Sequence, residues 1–230
     1  MNWNEYYIRK AQENNGLDLS SRLRAVGKTY FGNPIEDDQL EILTQNIYDL
    51  VGDLSETDTI IDMGCGTGII AEKLLWKYKG QKLVLVDPNL ENINKCKKLF
   101  GNLPIVRFYN FDHNQTLQLV TKDTVLFTYE VIQHIESNAA RDFILSLFQK
   151  NVSKIIFGGV PDLNRRDYFY ENRSLKPTVK DNSDDVIGQW FEDSFFLDLS
   201  SDNYEANITR QNNLYTTHYR FDVVYERGTS

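Results

Sequence analysis

The segment IIDMGCGTG, residues 60–68, carries the most informative pattern in this sequence. A short apolar stretch leads into Gly64, Gly66 and Gly68, and an apolar pattern with helical spacing follows. Glycine adopts positive φ readily and lets a ligand approach the backbone without meeting a Cβ atom. The N–H groups at the start of a helix also favour an anionic group. The pattern therefore predicts a strand, a turn and a helix with a ligand at the turn. The alternative is a glycine turn that binds nothing.

The spacing of these glycines does not fit a dinucleotide-binding turn. Such a turn needs G-x-G-x-x-G, and a pattern starting at Gly64 would place its third glycine where the sequence has Ile69. The pattern is instead D-x-G-x-G-x-G, beginning at Asp62. A nicotinamide- or flavin-dependent oxidoreductase is therefore disfavoured, and measured cofactor preference would decide the question.

A second candidate group is the carboxylate that ends the next apolar stretch, KLVLVD, just before Pro88. An acid at this place can accept hydrogen bonds from both hydroxyls of a ribose. Asp87 therefore predicts a ribose without choosing the cofactor. Its alternative role is the N-cap of the following helix, and the two roles can coexist.

These residues need a framework of alternating strands and helices, and the sequence supplies one. Short apolar stretches alternate with amphipathic ones, which predicts an α/β fold with a mostly parallel, doubly wound sheet and helices on both faces. Two alternating stretches at the end predict an antiparallel pair, giving about seven strands. The predicted strands are 59–63, 83–86, 105–109, 124–128, 154–157, 204–211 and 219–225. The predicted helices are 37–53 (capped by Asp37 or Asp38), 68–78, 89–100 and 139–148.

The organisation predicted from this pattern is one domain over residues 1–230. Residues 1–35 form an N-terminal cap segment, and residues 161–203, which are polar and aromatic, form an insertion or lid on the acceptor side. We find no internal repeat and no low-complexity linker.

Charge and composition exclude several classes of partner. Lys and Arg number 25 and Asp and Glu number 33, so the net charge is −8. This argues against a nucleic-acid footprint and against docking on an anionic membrane, since both need a basic face. The two cysteines make neither a disulfide framework nor a metal cluster, so no metal is expected. Without an apolar leader or membrane span, we expect a cytoplasmic protein whose partner is a small molecule, possibly anionic.

The D-x-G-x-G-x-G pattern resembles motif I of the class I S-adenosylmethionine-dependent methyltransferases, which have a Rossmann-like sheet. The resemblance implies S-adenosylmethionine as cofactor and S-adenosylhomocysteine as product. The glycines would lie against the methionine part and the ribose, with the leading acid below the amino-acid end. The cofactor-binding residues implied in these two segments are Asp62, Gly64, Cys65, Gly66, Thr67, Gly68, Asp87 and Pro88.

The segment NFDH, residues 110–113, follows the third predicted strand. In the family that the sequence resembles, an acid here accepts from the adenine amino group, and neighbouring residues flank the ring. Asp112 fits the first role, although it could instead begin a turn. Phe111 or His113 could stack on the adenine.

The segment TYEVIQHI, residues 128–135, resembles the part of small-molecule methyltransferases that faces the methyl sulfonium. It places Tyr129 at the cofactor and His134 beside the methyl group. It lacks the N/D-P-P-Y/F signature of enzymes that methylate adenine bases or protein Gln. Together with the acidic net charge, this absence argues against nucleic acid as the acceptor.

Flanking segments narrow the resemblance to small bacterial methyltransferases linked to surface-polysaccharide, or capsule, biosynthesis. These segments are residues 24–32, 159–162, 188–191 and 218–222. The resemblance implies methyl transfer to an oxygen of a sugar, a sugar nucleotide or a phosphorylated capsule precursor. Lys28, in the first segment, would reach the cofactor carboxylate or an anionic acceptor.

A hydroxyl acceptor needs a base, and a histidine suits that role near neutral pH. His134 is the first candidate and His218 the second; an acceptor that is already anionic needs neither. Guanidinium groups suit phosphate or carboxylate oxygens, and tyrosines suit sugars or bases. The predicted acceptor-binding residues are Tyr7, Arg166, Tyr168, Tyr170 and Arg220.

Three other functions stay open from the sequence. The acceptor atom could be nitrogen on a small molecule. The chain could bind the cofactor without turnover and act as a partner or sensor. Aminopropyl transfer from the decarboxylated cofactor uses the same fold, but it would not need Lys28 or Arg24 to bind a carboxylate.

Overall fold

The computed structural model describes residues 9–30, 33–56, 58–171, 187–210 and 213–228. Its strands are β1 (Thr29–Tyr30), β2 (Asn33–Pro34), β3 (Thr59–Met63), β4 (Lys82–Val86), β5 (Val106–Tyr109), β6 (Thr124–Tyr129), β7 (Lys154–Pro161), β8 (Tyr204–Thr209) and β9 (Arg220–Arg227). Its helices are α1 (Leu19–Ala25), α2 (Asp37–Val51), α3 (Ile69–Lys77), α4 (Leu90–Phe100), α5 (His113–Thr116), α6 (Ser137–Gln149), α7 (Arg166–Glu171) and α8 (Asp193–Leu197). Short 3-10 turns cover Ile132–His134, Leu163–Arg165 and Thr217–Tyr219.

Seven of the strands form one sheet in the order β5-β4-β3-β6-β7-β9-β8. The first five pair in parallel, and β9 runs antiparallel to both β7 and β8. The predicted α/β fold, with a mostly parallel sheet and an antiparallel C-terminal pair, is confirmed. The order places β3 and β6 at the centre, so the glycine turn after β3 and residues 130–135 after β6 are neighbours.

The strands form where the sequence is apolar because both faces of the sheet are covered by helices. Every residue of β6 is buried. On one face α2, α3 and α4 pack against residues such as Ile60 and Phe127. On the other face α6 and α8 pack against residues such as Ile61 and Leu126. The alternation of neighbouring residues between the two clusters follows from the two-residue period of a strand.

Most predicted boundaries lie within two residues of the observed ones, but the end of the fifth strand and the cap of α2 were predicted wrongly. The fifth strand was expected to end before Gly158, yet β7 continues to Pro161 because a bulge between Phe157 and Val160 restores its pairing with β9. Gly159 has a φ of 65° and can adopt the bulged conformation without strain. The N-cap of α2 is Glu36 rather than Asp37 or Asp38, and both aspartates lie in the first turn, where their charge favours the helix dipole.

The region predicted as an insertion or lid, residues 161–203, contains local structure in its described part. Asp162 caps the 3-10 turn Leu163–Arg165 by accepting from the Asn164 N–H, and α7 follows. The returning chain pairs at Phe191 with Asp162. Four aromatic residues form a small cluster between these ends, namely Phe169, Tyr170, Trp190 and Tyr219.

The segment before α2 is held on the sheet by two buried cations. Lys95 of α4 donates to the carbonyl oxygens of Ala11 and Asn14 at 3.0 and 2.6 Å, where a short helix over residues 9–13 ends. Arg22 of α1 donates to the Thr67 carbonyl at 3.1 Å and pairs with Glu72 at 2.8 Å. These contacts bring residues 9–28, which we call the N-terminal segment, against the glycine turn.

None of the helices in the described part of the chain is both long enough and apolar enough to cross a membrane.

Replacing Lys95 by Met should destabilise the docked N-terminal segment, because two carbonyl groups lose a charged donor. We expect a loss of about 1.5–3 kcal/mol in the free energy of unfolding, measured as a lower urea midpoint. Trypsin should also cleave faster after Lys10. Lys98→Met, on the exposed face of the same helix, is the control; equal midpoints for the two variants would contradict the docking role of Lys95.

Candidate active site

A cavity of about 350 Å³ opens at the carboxyl ends of the central parallel strands. This is where ligands bind in open α/β sheets. Residues after β5, β4, β3 and β6 line it in that spatial order, and the N-terminal segment forms one wall. The predicted site residues that line it are Lys28, Gly64, Cys65, Gly66, Thr67, Asp87, Pro88, Asp112, His113, Tyr129 and His134.

The glycine turn is the floor of this cavity, and each of its glycines is required by geometry. Gly64, Gly66 and Gly68 have φ values of 79°, 54° and 76°, which side chains rarely adopt. A Cβ on Gly64 would lie 2.3 Å from Val131, and one on Gly66 would lie 2.6 Å from Val26. The turn can therefore sit close to the segment after β6 and to the N-terminal segment. Gly68 itself faces α4 and does not line the cavity.

Asp87 anchors the glycine turn and also faces the cavity. Its Oδ2 accepts from the Gly66 N–H at 2.9 Å, and its Oδ1 accepts from the Asn89 N–H and the Asn92 side chain. Burial raises the pKa of this carboxyl to about 6, although the three donors oppose the shift. Oδ1 already accepts two hydrogen bonds from the chain, whereas Oδ2 accepts one. Oδ2 can therefore accept one further hydrogen bond from a ligand.

Asn92, a residue that sequence reasoning missed, completes this corner. It lines the cavity, and its buried Oδ1 accepts no hydrogen bond from any residue that the structure describes. It lies one turn into α4, so no motif singled it out. Asp87 Oδ2 and Asn92 Oδ1 together offer acceptors for two neighbouring hydroxyls.

The β5 end of the cavity is formed by Phe111, Asp112 and His113. Asp112 is the N-cap of α5 and forms a capping box with Gln115, which is the alternative role foreseen for it. It lines the cavity nonetheless. His113 packs edge-on against Phe143, and burial lowers its pKa.

At the β6 end, opposite charges are buried together. Lys28 Nζ lies 2.6 Å from Glu130 Oε2 and 4.3 Å from the centre of the Tyr129 ring. Arg220 Nε lies 3.8 Å from Glu130 Oε1, and its Nη1 donates to the Gly159 carbonyl and, at 3.4 Å, to Gln133. Burial lowers the pKa of Lys28. Burial alone would raise the pKa of Glu130, but Lys28 and Arg220 outweigh it and hold that pKa low.

Glu130 is the second residue that sequence reasoning missed. It lines the cavity and has a φ of 56°, a conformation uncommon for residues with a side chain. The close approach of Gly159 is part of the reason it fits, since a Cβ there would lie 2.8 Å from Glu130 Cγ. The sequence signal that could have identified Glu130 is its position directly after a fully buried strand, at the sheet edge where ligands bind.

His134 lies at the end of a 3-10 turn and lines the same end of the cavity. Burial and the nearby Arg220 charge lower its pKa to about 4. The imidazole is therefore neutral at pH 7 and can accept a proton or a hydrogen bond.

Asp62 lies in β3 beside Asp87 and is not part of the cavity lining. Burial and the neighbouring Asp87 charge raise its pKa to about 8, so it is mostly protonated at neutral pH. Its Oδ2 has no hydrogen-bond partner among the described residues.

The remaining predicted residues that the structure describes do not line the cavity. His218 is exposed and its ring lies 5.0 Å from that of Tyr168. Tyr170 is buried in the aromatic cluster, with Arg166 5.6 Å from its ring, and Arg220 lies behind Glu130. Tyr7 lies outside the described residues.

Comparison with known proteins identifies the region that carries this cavity. Residues 60–149 match a family model described as a methyltransferase domain. A malonyl-[acyl-carrier protein] O-methyltransferase of Ilyobacter polytropus is 26% identical over 143 residues, which are 60% of this chain. The match spans about half of that relative's length, 54%. The match supports the predicted methyltransferase class and, with it, S-adenosylmethionine as the donor.

Solved structures with the same architecture are also methyltransferases. Magnesium protoporphyrin IX methyltransferase of Synechocystis PCC 6803 superposes with a TM-score of 0.65 at 14% identity, covering 98% of this chain and 96% of that one. An S-adenosylmethionine-dependent methyltransferase of Clostridium acetobutylicum superposes with a TM-score of 0.60 at 12% identity, covering 85% and 93%. At these identities the structures establish the fold alone. Residues 60–149 therefore match a methyltransferase domain and lie in the α/β fold of these solved methyltransferases.

Proposed function

We propose that this protein transfers a methyl group from S-adenosylmethionine to an oxygen of a small polar acceptor. The observation that carries the proposal is the order of groups along the cavity. Acceptors suited to ribose hydroxyls lie after β4, the glycine turn lies after β3, and a neutral histidine lies after β6. The curated relative is named as an O-methyltransferase, which favours oxygen over nitrogen.

The residues present fit this cofactor. Asn92 Oδ1 is a buried acceptor without a partner among the described residues, and the same side chain donates through Nδ2 to Asp87 Oδ1 at 3.2 Å. The two would hold the ribose hydroxyls, while Phe111, Asp112 and His113 would flank the adenine. The volume of about 350 Å³ lies within the usual range for ligand pockets.

When bound, S-adenosylmethionine supplies an electrophilic methyl group that an acceptor oxygen takes in one in-line displacement. His134 would accept the hydroxyl hydrogen and orient the oxygen. Because its pKa is about 4, the proton would afterwards leave the site for bulk solvent rather than stay on the ring. Tyr129 and Val131 would exclude water from the reacting atoms.

The acceptor class is proposed from the flanking segments. Sugars, sugar nucleotides and phosphorylated capsule precursors are the candidates that the resemblance implies. Residues 161–203 would form the acceptor side, with Arg166, Tyr168 and Tyr7 reaching the part of the acceptor that extends out of the cavity. We propose a cytoplasmic location, where such precursors are made.

Calorimetric titration tests the cofactor class. S-adenosylhomocysteine and S-adenosylmethionine should bind in the micromolar range, and NAD should not bind. Binding of NAD alone would overturn the proposed function and make the turn an unusual dinucleotide loop.

His134→Ala should lower turnover about 10²–10⁴-fold if the imidazole is the base, with S-adenosylhomocysteine affinity unchanged. Turnover is measured on an acceptor found by screening anionic sugars and sugar nucleotides. His218→Ala is the comparison variant. A larger loss of turnover in His218→Ala than in His134→Ala would contradict the role of His134 and indicate His218 as the base.

The Asp87 carboxyl should make cofactor binding depend on pH. Its pKa is about 6 in the folded protein, against a usual value of 3.8, so the free protein gains stability as pH falls from about 6 towards 4. Binding should change in the opposite direction, because the protonated carboxyl accepts ribose hydroxyls less well. S-adenosylhomocysteine affinity should fall as pH decreases through 6.

Asp87→Asn should remove this dependence and weaken binding at pH 7.5 by about 1.5–3 kcal/mol. Calorimetry across pH, with a thermal melt at each pH, separates weaker binding from unfolding. Equal affinity at pH 5 and pH 7.5 in the wild-type protein would remove the ribose role from Asp87.

A further inference from the structure

The Lys28 and Glu130 side chains place an ammonium and a carboxylate next to each other at one end of the cavity. Nζ and Oε2 are 2.6 Å apart, and both residues line the cavity wall. Buried charges are costly unless they are paired and further hydrogen-bonded. A pair that faces a cavity is therefore well placed to receive a ligand that carries both charges.

Both groups have bonding capacity left after they pair. A lysine ammonium has three donors, and a carboxylate has about four acceptor sites. Glu130 uses one oxygen towards Lys28 and faces Arg220 with the other at 3.8 Å. Lys28 can still donate to a carboxylate, and Glu130 can still accept from an ammonium.

The pair lies at the correct place along the sheet for the far end of the cofactor. Asp112 follows β5, Asp87 follows β4, and Glu130 follows β6, on the other side of the glycine turn. Adjacent strands are roughly 4.8 Å apart, so three steps span about 14 Å. With the nucleoside at β5 and β4, the amino-acid end extends over the turn towards β6.

Asp62 is the competing carboxyl for the ammonium, since it begins the glycine motif. It does not line the cavity, whereas Glu130 does. It is also buried next to Asp87 and is mostly protonated at neutral pH, which leaves it little charge to attract a cation. Glu130 is kept ionised by the two cations beside it.

We propose that Lys28 and Glu130 together bind the zwitterionic amino-acid end of the cofactor, Lys28 through its carboxylate and Glu130 through its ammonium. This inference rests on the proposed function and assigns the cofactor contact of Glu130. Arg220 acts behind Glu130 as a positioning residue, which agrees with its bonds to the Gly159 carbonyl and Gln133.

The test compares two ligands that share the adenosine and the thioether. S-adenosylhomocysteine has the amino-acid end and 5′-methylthioadenosine lacks it, so the ratio of their affinities isolates that end. For the wild-type protein we expect S-adenosylhomocysteine to bind roughly 100-fold more tightly, as charge-assisted hydrogen bonds at both groups would give. Calorimetry at pH 7.5 measures both affinities.

Lys28→Met and Glu130→Gln should each weaken S-adenosylhomocysteine binding about tenfold and change 5′-methylthioadenosine binding less than about threefold. Retained 5′-methylthioadenosine binding shows that the cavity is still folded. If a single variant loses it, the double variant Lys28→Gln/Glu130→Gln, which removes both charges together, is measured with the same expectation. Asp62→Asn is the matched control and should leave the affinity ratio unchanged.

Each outcome decides between the assignments. Equal binding of the two ligands by the wild-type protein overturns the inference, as does an unchanged ratio in both single variants. A ratio that collapses in Asp62→Asn alone gives the ammonium to Asp62. Failure to bind either ligand contradicts the proposed function itself rather than this assignment.

Discussion

The structure depends on a close approach of backbone at the turn after β3. Gly64, Gly66 and Gly68 adopt positive φ, and their missing side chains let Val131, Val26 and Phe100 come into contact with the turn. The segment after β6, the N-terminal segment and α4 therefore all converge on five residues. Two backbone N–H groups of the turn, those of Gly64 and Cys65, bond to the Val86 carbonyl, and that of Gly66 bonds to Asp87. A cavity with groups from four strands follows from this packing.

The two ionised carboxylates of the cavity, Asp87 and Glu130, are held by different kinds of group. At the β4 end, Asp87 is anchored by three donors of the chain, so it keeps an ordered carboxylate despite burial. At the β6 end, Glu130 is held by Lys28 and Arg220, which come from distant parts of the chain. His134, which lines the β6 end with Glu130, stays neutral. The cavity thus has a carboxylate at its β4 end, and a charged pair and an uncharged imidazole at its β6 end.

Most features that depend on a local residue pattern, such as the glycine turn and the order of strands and helices along the chain, could be predicted from the sequence. The β3 strand was predicted with both of its ends correct, because it is apolar on both faces and bounded by Thr59 and the glycines. The turn and the position of Asp87 follow from the same local logic. The bulge at Gly159 was missed because glycines there read equally well as the end of a strand.

Contacts between distant segments could not be predicted. Glu130 pairs with Lys28 and lies near Arg220, and these residues come from three segments that only the fold brings together. No repeating pattern in the sequence indicates such a contact. Asn92 faces the cavity because α4 begins at Leu90, which sets the direction in which its third residue points. The residue at which a helix begins could not be predicted closely enough to show that the Asn92 Oδ1 is an available acceptor. The predicted base His218 shows the converse: its chemistry was suitable, but the 3-10 turn that carries it leaves it on the surface.

Strand β9 has a consequence for how the protein is made. It fills the place between β7 and β8 in the sheet and brings Arg220 to Glu130. During synthesis the parallel strands β3 to β7 leave the ribosome long before β9 does. Until then β7 has an open edge, and Glu130 lacks one of its two cations. The nascent chain therefore has its glycine turn early and its complete charged site late, and the β7 edge stays unpaired in that interval.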